Sequence, residues 1–146
     1  ANEFNWIHAI IKQALNEGKM HRKGDGEELR DYIHVKDASQ ACVDLLDNEF
    51  RNQYLIISGA QTIKVKELLK MINEMMDNKI DIEYLDEHSA GHYDVTPYTF
   101  RPRMAKKYTG QTSVELGQGL LDTIYDVYKK MKRSDDEHPI ITLPEY

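Results

Sequence analysis

The 146-residue chain has one cysteine, Cys42, so no internal disulfide can form. That suits a reducing compartment, and a cytoplasmic location is expected. No apolar run reaches the roughly 20 residues of a membrane-spanning helix, and no secretory leader is visible, so no membrane partner is expected. Positive charge is in the minority: 19 Lys and Arg stand against 25 Asp and Glu, a formal net charge of -6. That argues against a nucleic-acid partner. A Gly-x-x-Gly-x-x-Gly dinucleotide loop is missing, and so is a His-Glu-x-x-His zinc frame. There is no initiator methionine and the first residues already read as a helix, so the chain is expected to be a fragment.

What remains is an ordinary globular composition, 40% hydrophobic and 30% charged, long enough for one domain with a core. Residues 4–15 read as a helix with an apolar face at Phe4, Trp6-Ile7, Ile10-Ile11 and Leu15, stopped by Gly18; Asn5 suits its N-cap. A basic run follows at Lys19-Met20-His21-Arg22-Lys23. Gly24-Asp25-Gly26 then marks a turn, and the alternation of Tyr32-Ile33-His34-Val35 predicts a strand. Asp37 and Gln40 form a capping-box pattern for a helix over 37–48, with Ala38, Ala41-Cys42 and Leu45-Leu46 inward. Cys42 therefore reads as a small core residue. The apolar run 54–58, closed by Gly59, predicts a strand buried on both faces. A helix over 65–76 has Val65, Leu68-Leu69, Ile72 and Met75-Met76 inward, and 80–84 alternates as a half-exposed strand. Thr112-Ser113-Val114-Glu115 is a capping box for a last helix over 116–132, facing inward with Leu116, Leu120-Leu121, Ile124, Val127-Tyr128 and Met131. Strand and helix alternate in the manner of βαβ units.

Two features bear on chemistry. Arg30 sits beside the predicted strand, where a fork-shaped guanidinium suits a phosphate or diphosphate; an ion pair with Glu27, Glu28 or Asp31 is the alternative that spacing favours. The irregular stretch 86–107 carries His88, His92, Asp94, Arg101 and Arg103, and irregular segments on a rigid scaffold often carry binding residues. His88 and His92 are spaced for zinc on a helix, but Ser89 and Gly91 weaken such a helix and no metal is expected.

The order Gly24-Asp25-Gly26, then Arg30-Asp31-Tyr32-Ile33-His34-Val35-Lys36-Asp37, resembles a segment of the NAD-dependent nucleotide-sugar epimerases and dehydratases, the extended short-chain dehydrogenases. The likeness runs most to the UDP-glucose 4-epimerases among them. It implies an α/β fold: a small substrate-binding domain with helices packed on short strands, and the Rossmann half missing. Arg30 matches the arginine that contacts the nucleotide-sugar diphosphate, and Asn5-Trp6 matches a pair that opens the first helix and touches the nucleotide. His21, Arg22 and Lys23 fall on the strand that runs along the base. A second diphosphate arginine of the family falls near Ala90 to His92, where this chain has none; Arg101 or Arg103 would take its place. Where the family caps the 65–76 helix with Ser or Thr, this chain has Lys64, so the cap is weaker or moves to Thr62.

The family's Tyr-x-x-x-Lys acid/base spacing recurs at Tyr125/Lys129 and Tyr128/Lys132, in the terminal helix and after the substrate-domain features. No catalytic residue is assigned. The resemblance implies residues 1–132 as the nucleotide-sugar domain, 133–146 as an extended tail, a UDP-sugar or related nucleotide-sugar as ligand, NAD held by an absent N-terminal domain, and a homodimeric parent. In the parent, the sugar C4 hydroxyl is oxidised by NAD and reduced again. The alternative is a stand-alone, non-catalytic module that binds a nucleotide or a protein.

Overall fold

In the computed structural model, residues 5–86, 105–108, 110, 114–134 and 138–144 are described. The elements are α1 (Trp6–Glu17), β1 (Lys19–Lys23), β2 (Leu29–Asp31), α2 (Val35–Asp44), β3 (Leu55–Ile57), β4 (Thr62–Lys64), α3 (Val65–Met75), β5 (Asp81–Leu85), β6 (Lys106–Tyr108) and α4 (Leu116–Lys132), with a 3-10 turn at Asn48–Phe50. The order is mixed α/β, as the sequence predicts. The chain divides into two compact units. One holds Ala1–Gly26, Lys66–Gly91 and Leu120–Tyr146; the other holds Glu27–Val65 and His92–Gly119.

The first unit is built on three amphipathic helices and a parallel strand pair. Asn5 caps α1: its Oδ1 accepts from the N–H groups of Ile7 at 3.0 Å and His8 at 3.4 Å. Gly18 ends α1 in the left-handed region (φ 65), which an L side chain rarely adopts, and its N–H donates to Ala14 O. β1 pairs in parallel with β5, from Lys19↔Asp81 to Lys23↔Leu85. Ile10, Ile11, Ala14 and Leu15 of α1, Met20 of β1, Leu68, Leu69 and Ile72 of α3, and Leu120, Ile124, Val127, Tyr128 and Met131 of α4 are buried. Each large aliphatic among them contributes about 1.5–3 kcal/mol. Against that sum, an exposed ion pair such as Lys70–Glu74 is minor. The tail residues 138–144 form neither helix nor strand, yet they are anchored. Ile140 N–H donates to Leu15 O at 2.9 Å, Tyr125 Oη donates to Pro144 O at 3.0 Å, and Leu143 is buried.

The second unit pairs β2 with β4 antiparallel (Arg30↔Ile63, Asp31↔Thr62) and β3 with β6 parallel (Leu55↔Lys106, Ile57↔Tyr108). The strand predicted at 32–35 instead lies at Leu29–Asp31. The ladder to β4 ends at Asp31, and the chain leaves it at Tyr32 to enter α2. Gly59 shows how close the backbones come here. A Cβ on Gly59 would lie 1.8 Å from Tyr32 O, so only glycine fits where that segment passes.

Helix α2 also differs from expectation. His34, not Asp37, is the N-cap, its Nδ1 accepting from Lys36 N–H at 3.2 Å. Asp37 is the third helical residue. It is buried, and its Oδ2 accepts from Val114 N–H at 3.2 Å, so its carboxylate is spent across the unit as well as near the positive helix end. Burying that side with Ala41 turns Cys42 outward: the thiol is exposed, with Val43 and Leu46. The core role predicted for Cys42 is therefore corrected. A thiol reagent should label Cys42 in the native chain at nearly the rate seen in denaturant, which alkylation followed by mass spectrometry checks; slow native labelling would contradict this packing of α2. The strand predicted at 54–58 shortens to Leu55–Ile57, partly rather than fully buried, with Tyr54 exposed before it.

The first two N–H groups of α3 go to main-chain carbonyls upstream: Val65 N–H donates to Glu28 O at 3.1 Å and Lys66 N–H to Gly26 O at 2.9 Å. Gly24 (φ 84) and Gly26 (φ 71) take left-handed conformations in the turn that presents those carbonyls. The predicted capping box of α4 falls partly on residues 111–113, outside the described residues; α4 itself spans Leu116–Lys132 as predicted.

Candidate functional site

The predicted site residues fall in both units, and each group stands in its own setting. In the first unit, alternation along β1 puts Lys19, His21 and Lys23 on one face and Met20 and Arg22 on the other. Met20 is fully buried, while Arg22 on the same face places its Cζ 5.3 Å from the centroid of the Trp6 ring, within cation–π range. Trp6 and Arg22, two of the predicted site residues, are thus brought together.

His21 is held on three sides. Gln13 Oε1 accepts from the His21 main-chain N–H at 3.0 Å, and Gln13 Nε2 lies 3.0 Å from His21 Nδ1. Because the Gln13 oxygen is fixed by a backbone donor, its nitrogen must donate, so Nδ1 accepts and the ring proton sits on Nε2. That Nε2 lies 3.1 Å from Glu83 Oε2, while Lys19 Nζ donates to Glu83 Oε1 at 2.7 Å. Both ring nitrogens of His21 are therefore engaged by the unit itself. Sequence reading missed Gln13 and Glu83. The signal was their placement: Gln13 lies on the outer side of the α1 apolar face, and Glu83 sits at an outward position of the alternating 80–84 run.

In the second unit, Arg30 is the central residue of β2, half-buried, with Nη1 donating to Leu29 O at 2.8 Å. Two carboxylates offered to it by the ion-pair reading have other partners. Asp31, with its side chain 3% exposed, accepts from Thr62 Oγ1 at 2.7 Å and pairs with Lys107 Nζ at 3.1 Å; Glu27 pairs with Lys64 at 2.8 Å. Asp31 and Lys107 tie β2 to β6, a link the sequence did not disclose. A hydrogen bond from Tyr108 Oη to Asp44 Oδ2 (2.8 Å) and an edge-on contact of Tyr108 with Phe50 tie β6 to α2 and the turn after it. Arg101, Arg103, His88, His92 and the place of the second family arginine lie outside the described residues. Among the described residues no group of three or more His, Cys, Asp and Glu could hold a metal ion, and no helix is long and apolar enough to cross a membrane.

The Tyr-x-x-x-Lys pairs of α4 are structural. Tyr125 bonds the tail, and Tyr128 is buried with Lys132 Nζ 5.1 Å from its ring centroid.

Titration couples to folding through several of these contacts. The hydrogen bond and charge of Lys19 hold Glu83 below the ordinary carboxylate range; hydrogen bonds from Gln40 and Tyr108 do the same for Asp44, as does that from Lys130 for Asp126. Burial holds the His8 imidazole below its ordinary value of 6.5, reinforced by the nearby Lys130. In each case the unfolded chain takes up the proton first on acidification, so stability falls with falling pH. The His8 contribution should fade from about pH 6.5 downward. The carboxylate contributions should fade from about pH 4.5 through their depressed folded values. Melting temperatures across pH 3–8 should show both steps, and His8→Gln should flatten the upper one; a melting temperature that rises below pH 6 would contradict the assignment.

With this geometry in place, comparison with known proteins gives the class. A dTDP-glucose 4,6-dehydratase from Bacillus anthracis, solved with NAD, matches at TM-score 0.64 and 24% identity over 86% of this chain and 39% of its own. A UDP-glucose 4-epimerase from Thermotoga maritima, solved with UDP-glucose, matches at TM-score 0.64 and 23% identity over 87% of this chain and 40% of its own. The fold is that of the extended short-chain dehydrogenases, over about two fifths of the length of those solved chains. The family model for GDP-mannose 4,6 dehydratase matches residues 3–115, and the chain belongs to that family of NAD-dependent epimerases and dehydratases. A curated relative, GDP-L-fucose synthase 1 of Arabidopsis thaliana, is 34% identical over 53 residues, which is 36% of this chain and 16% of the relative.

Proposed function

We propose that this chain is the substrate-holding part of an NAD-dependent nucleotide-sugar epimerase or dehydratase, with UDP-glucose 4-epimerase as the particular activity and a UDP-sugar as ligand. The observation that carries the reading is the family match over residues 3–115, which takes in both the Gly24-Asp25-Gly26 turn and the Arg30 to Asp37 segment. Arg30 is the diphosphate contact: a guanidinium on a short paired strand can bridge two phosphate oxygens with charge-assisted bonds. Asn5 and Trp6 contact the nucleotide. The Asn5 oxygen caps α1, so its amide nitrogen is the group it offers to a ligand. His21, Arg22 and Lys23 lie along the base. The ring nitrogens of His21 are engaged by Gln13 and Glu83 and its N–H by Gln13, so the group it is proposed to offer is its main-chain carbonyl. Arg101 and Arg103 complete the proposed set. Residues 1–132 form the nucleotide-sugar domain, with 133–146 as its tail.

The N-termini of α1, α2 and α3 do not fit the NAD pyrophosphate, a group commonly held by free N–H groups at a helix N-terminus. Those of α1 are capped by Asn5, that of Lys36 in α2 by His34, and those of Val65 and Lys66 in α3 by Glu28 and Gly26 carbonyls. The proposal therefore places NAD in a part of the parent outside this sequence. What this chain supplies is position: holding the nucleotide end fixes the sugar relative to the reacting groups and lowers the entropy cost of the step. The parent is proposed to be cytoplasmic and homodimeric.

Two outcomes test the reading. The purified 146-residue chain should show no epimerase or dehydratase turnover and little NAD binding; turnover that survives removal of contaminating enzyme would overturn it. The coding frame upstream should contain Gly-x-x-Gly-x-x-Gly and Tyr-x-x-x-Lys within about 150–200 residues. A start codon just before Ala1 would favour the stand-alone binding module instead.

A further inference from the structure

The Asp31 carboxylate joins three strands of the second unit. Its Oδ1 accepts from Thr62 Oγ1 at 2.7 Å, on the residue directly opposite in β4, and its Oδ2 accepts from Lys107 Nζ at 3.1 Å, on the middle residue of β6. The Asp31 side chain is 3% exposed and that of Lys107 30%. Burying such a pair gives up hydration of both charges, which offsets most of their attraction, so its net stabilisation is small and its fixed geometry is the larger consequence. Fixed geometry is what β2 lacks. It has three residues, and its one apolar residue, Leu29, is only half-buried. A slip of one residue would carry Arg30 to the face now held by Leu29 and Asp31. A carboxylate that reaches Thr62 and Lys107 at once excludes that slip. The next residue is confined as well, because Gly59 passes so close to Tyr32 O that a Cβ there would lie 1.8 Å from it. Among the described residues the Arg30 guanidinium bonds only Leu29 O, at 2.8 Å, so it is carried on β2 and moves with it.

We infer that Lys107 is a positioning residue for the ligand: through the Asp31 carboxylate it holds β2 in register and so sets where the Arg30 guanidinium meets the diphosphate. The inference rests on the proposed function, in which Arg30 is the diphosphate contact. Lys107 acts through Asp31 and does not itself touch the phosphates. Without the Lys107 charge, the Asp31 carboxylate stays buried with Thr62 as its donor. Relief comes from turning toward water, which draws the end of β2 along.

Calorimetric titration with UDP of the longer polypeptide encoded by the same frame tests this as a double-mutant cycle. Lys107→Met should raise the Kd about tenfold in the parent background, and by less than about twofold where Arg30 is already replaced by alanine, since nothing then remains to be positioned. Asp31→Asn should reproduce the loss, because it keeps an acceptor for Thr62 and drops the attraction for Lys107. It carries the same cycle if Lys107→Met does not fold. Lys107→Arg keeps the charge and should lose least. A loss of equal size in both backgrounds, or tighter binding in Asp31→Asn, would make Lys107 a direct phosphate contact and overturn the positioning role. A lower melting temperature with an unchanged Kd would leave the pair purely structural and overturn it too. Lost affinity in Arg30→Ala beside none in Lys107→Met overturns this inference and leaves the proposed function standing. Unchanged affinity in Arg30→Ala overturns the role of Arg30, and this inference with it.

Discussion

Gly59→Ala should cost about 3 kcal/mol of stability, at the upper end of what overpacking usually costs. The methyl group would lie 1.8 Å from Tyr32 O and 2.6 Å from Tyr32 C, against backbone rather than the far end of a flexible side chain. Relief requires the segment after β3 to move away from the chain leaving β2, which strains both strand pairs of the second unit. Gly24→Ala is the control. Nothing lies within 4 Å of a Cβ there, and only its φ of 84 opposes the change, so the loss should be nearer 1 kcal/mol. Urea unfolding of both variants measures the difference. A small domain has only about 5–15 kcal/mol to lose, so the Gly59 effect should be plain in the midpoint. A Gly59→Ala midpoint within error of the parent would mean the two segments do not pack as described.

Arg30→Ala in the longer enzyme should weaken UDP binding by about 2–3 kcal/mol, the range for removing a charged hydrogen-bonding group. That is about a 30- to 150-fold rise in Kd. Arg30→Lys keeps the charge and loses the fork, so its loss should be smaller. The ion-pair account predicts otherwise: a lower melting temperature with unchanged UDP affinity. The structure weakens that account at two of its three proposed partners, since Asp31 is taken by Lys107 and Thr62, and Glu27 by Lys64. Arg30 also donates to Leu29 O, so a modest stability loss is compatible with both accounts and affinity is the discriminating readout.

The helices of the first unit were legible because their apolar residues recur at helical spacing and their ends carry strong signals. Asn5 and Gly18 bound α1 as read, and the inward faces of α3 and α4 hold nearly residue for residue. The second unit was less legible. Its strands are three residues long, too short for alternation to fix a register, so β2 was read three residues late. That error shifted the start of α2, where His34 caps through Nδ1, a role more often filled by Asn, Asp, Ser or Thr. Cys42 failed for a related reason. Periodicity locates an apolar stripe without saying whether this chain covers it, and on α2 the buried side is the one carrying Asp37 and Ala41. Of the candidate site, the pairing of Trp6 with Arg22 follows from α1 and β1 being joined by a tight turn at Gly18, which lays the start of the helix against the far end of the strand. The clamp on His21 does not, because Glu83 comes 62 residues later and reaches β1 only through the parallel register.

The central claim is that these residues hold a nucleotide-sugar. Calorimetric titration of the longer polypeptide with UDP-glucose, GDP-mannose and dTDP-glucose, against free glucose and mannose, tests it most directly. The proposal predicts saturable binding of UDP-glucose in preference to the other two, no binding of the free sugars, and a loss of affinity in an Arg30→Ala variant that is still folded. A folded longer polypeptide that binds none of the three nucleotide-sugars would contradict it.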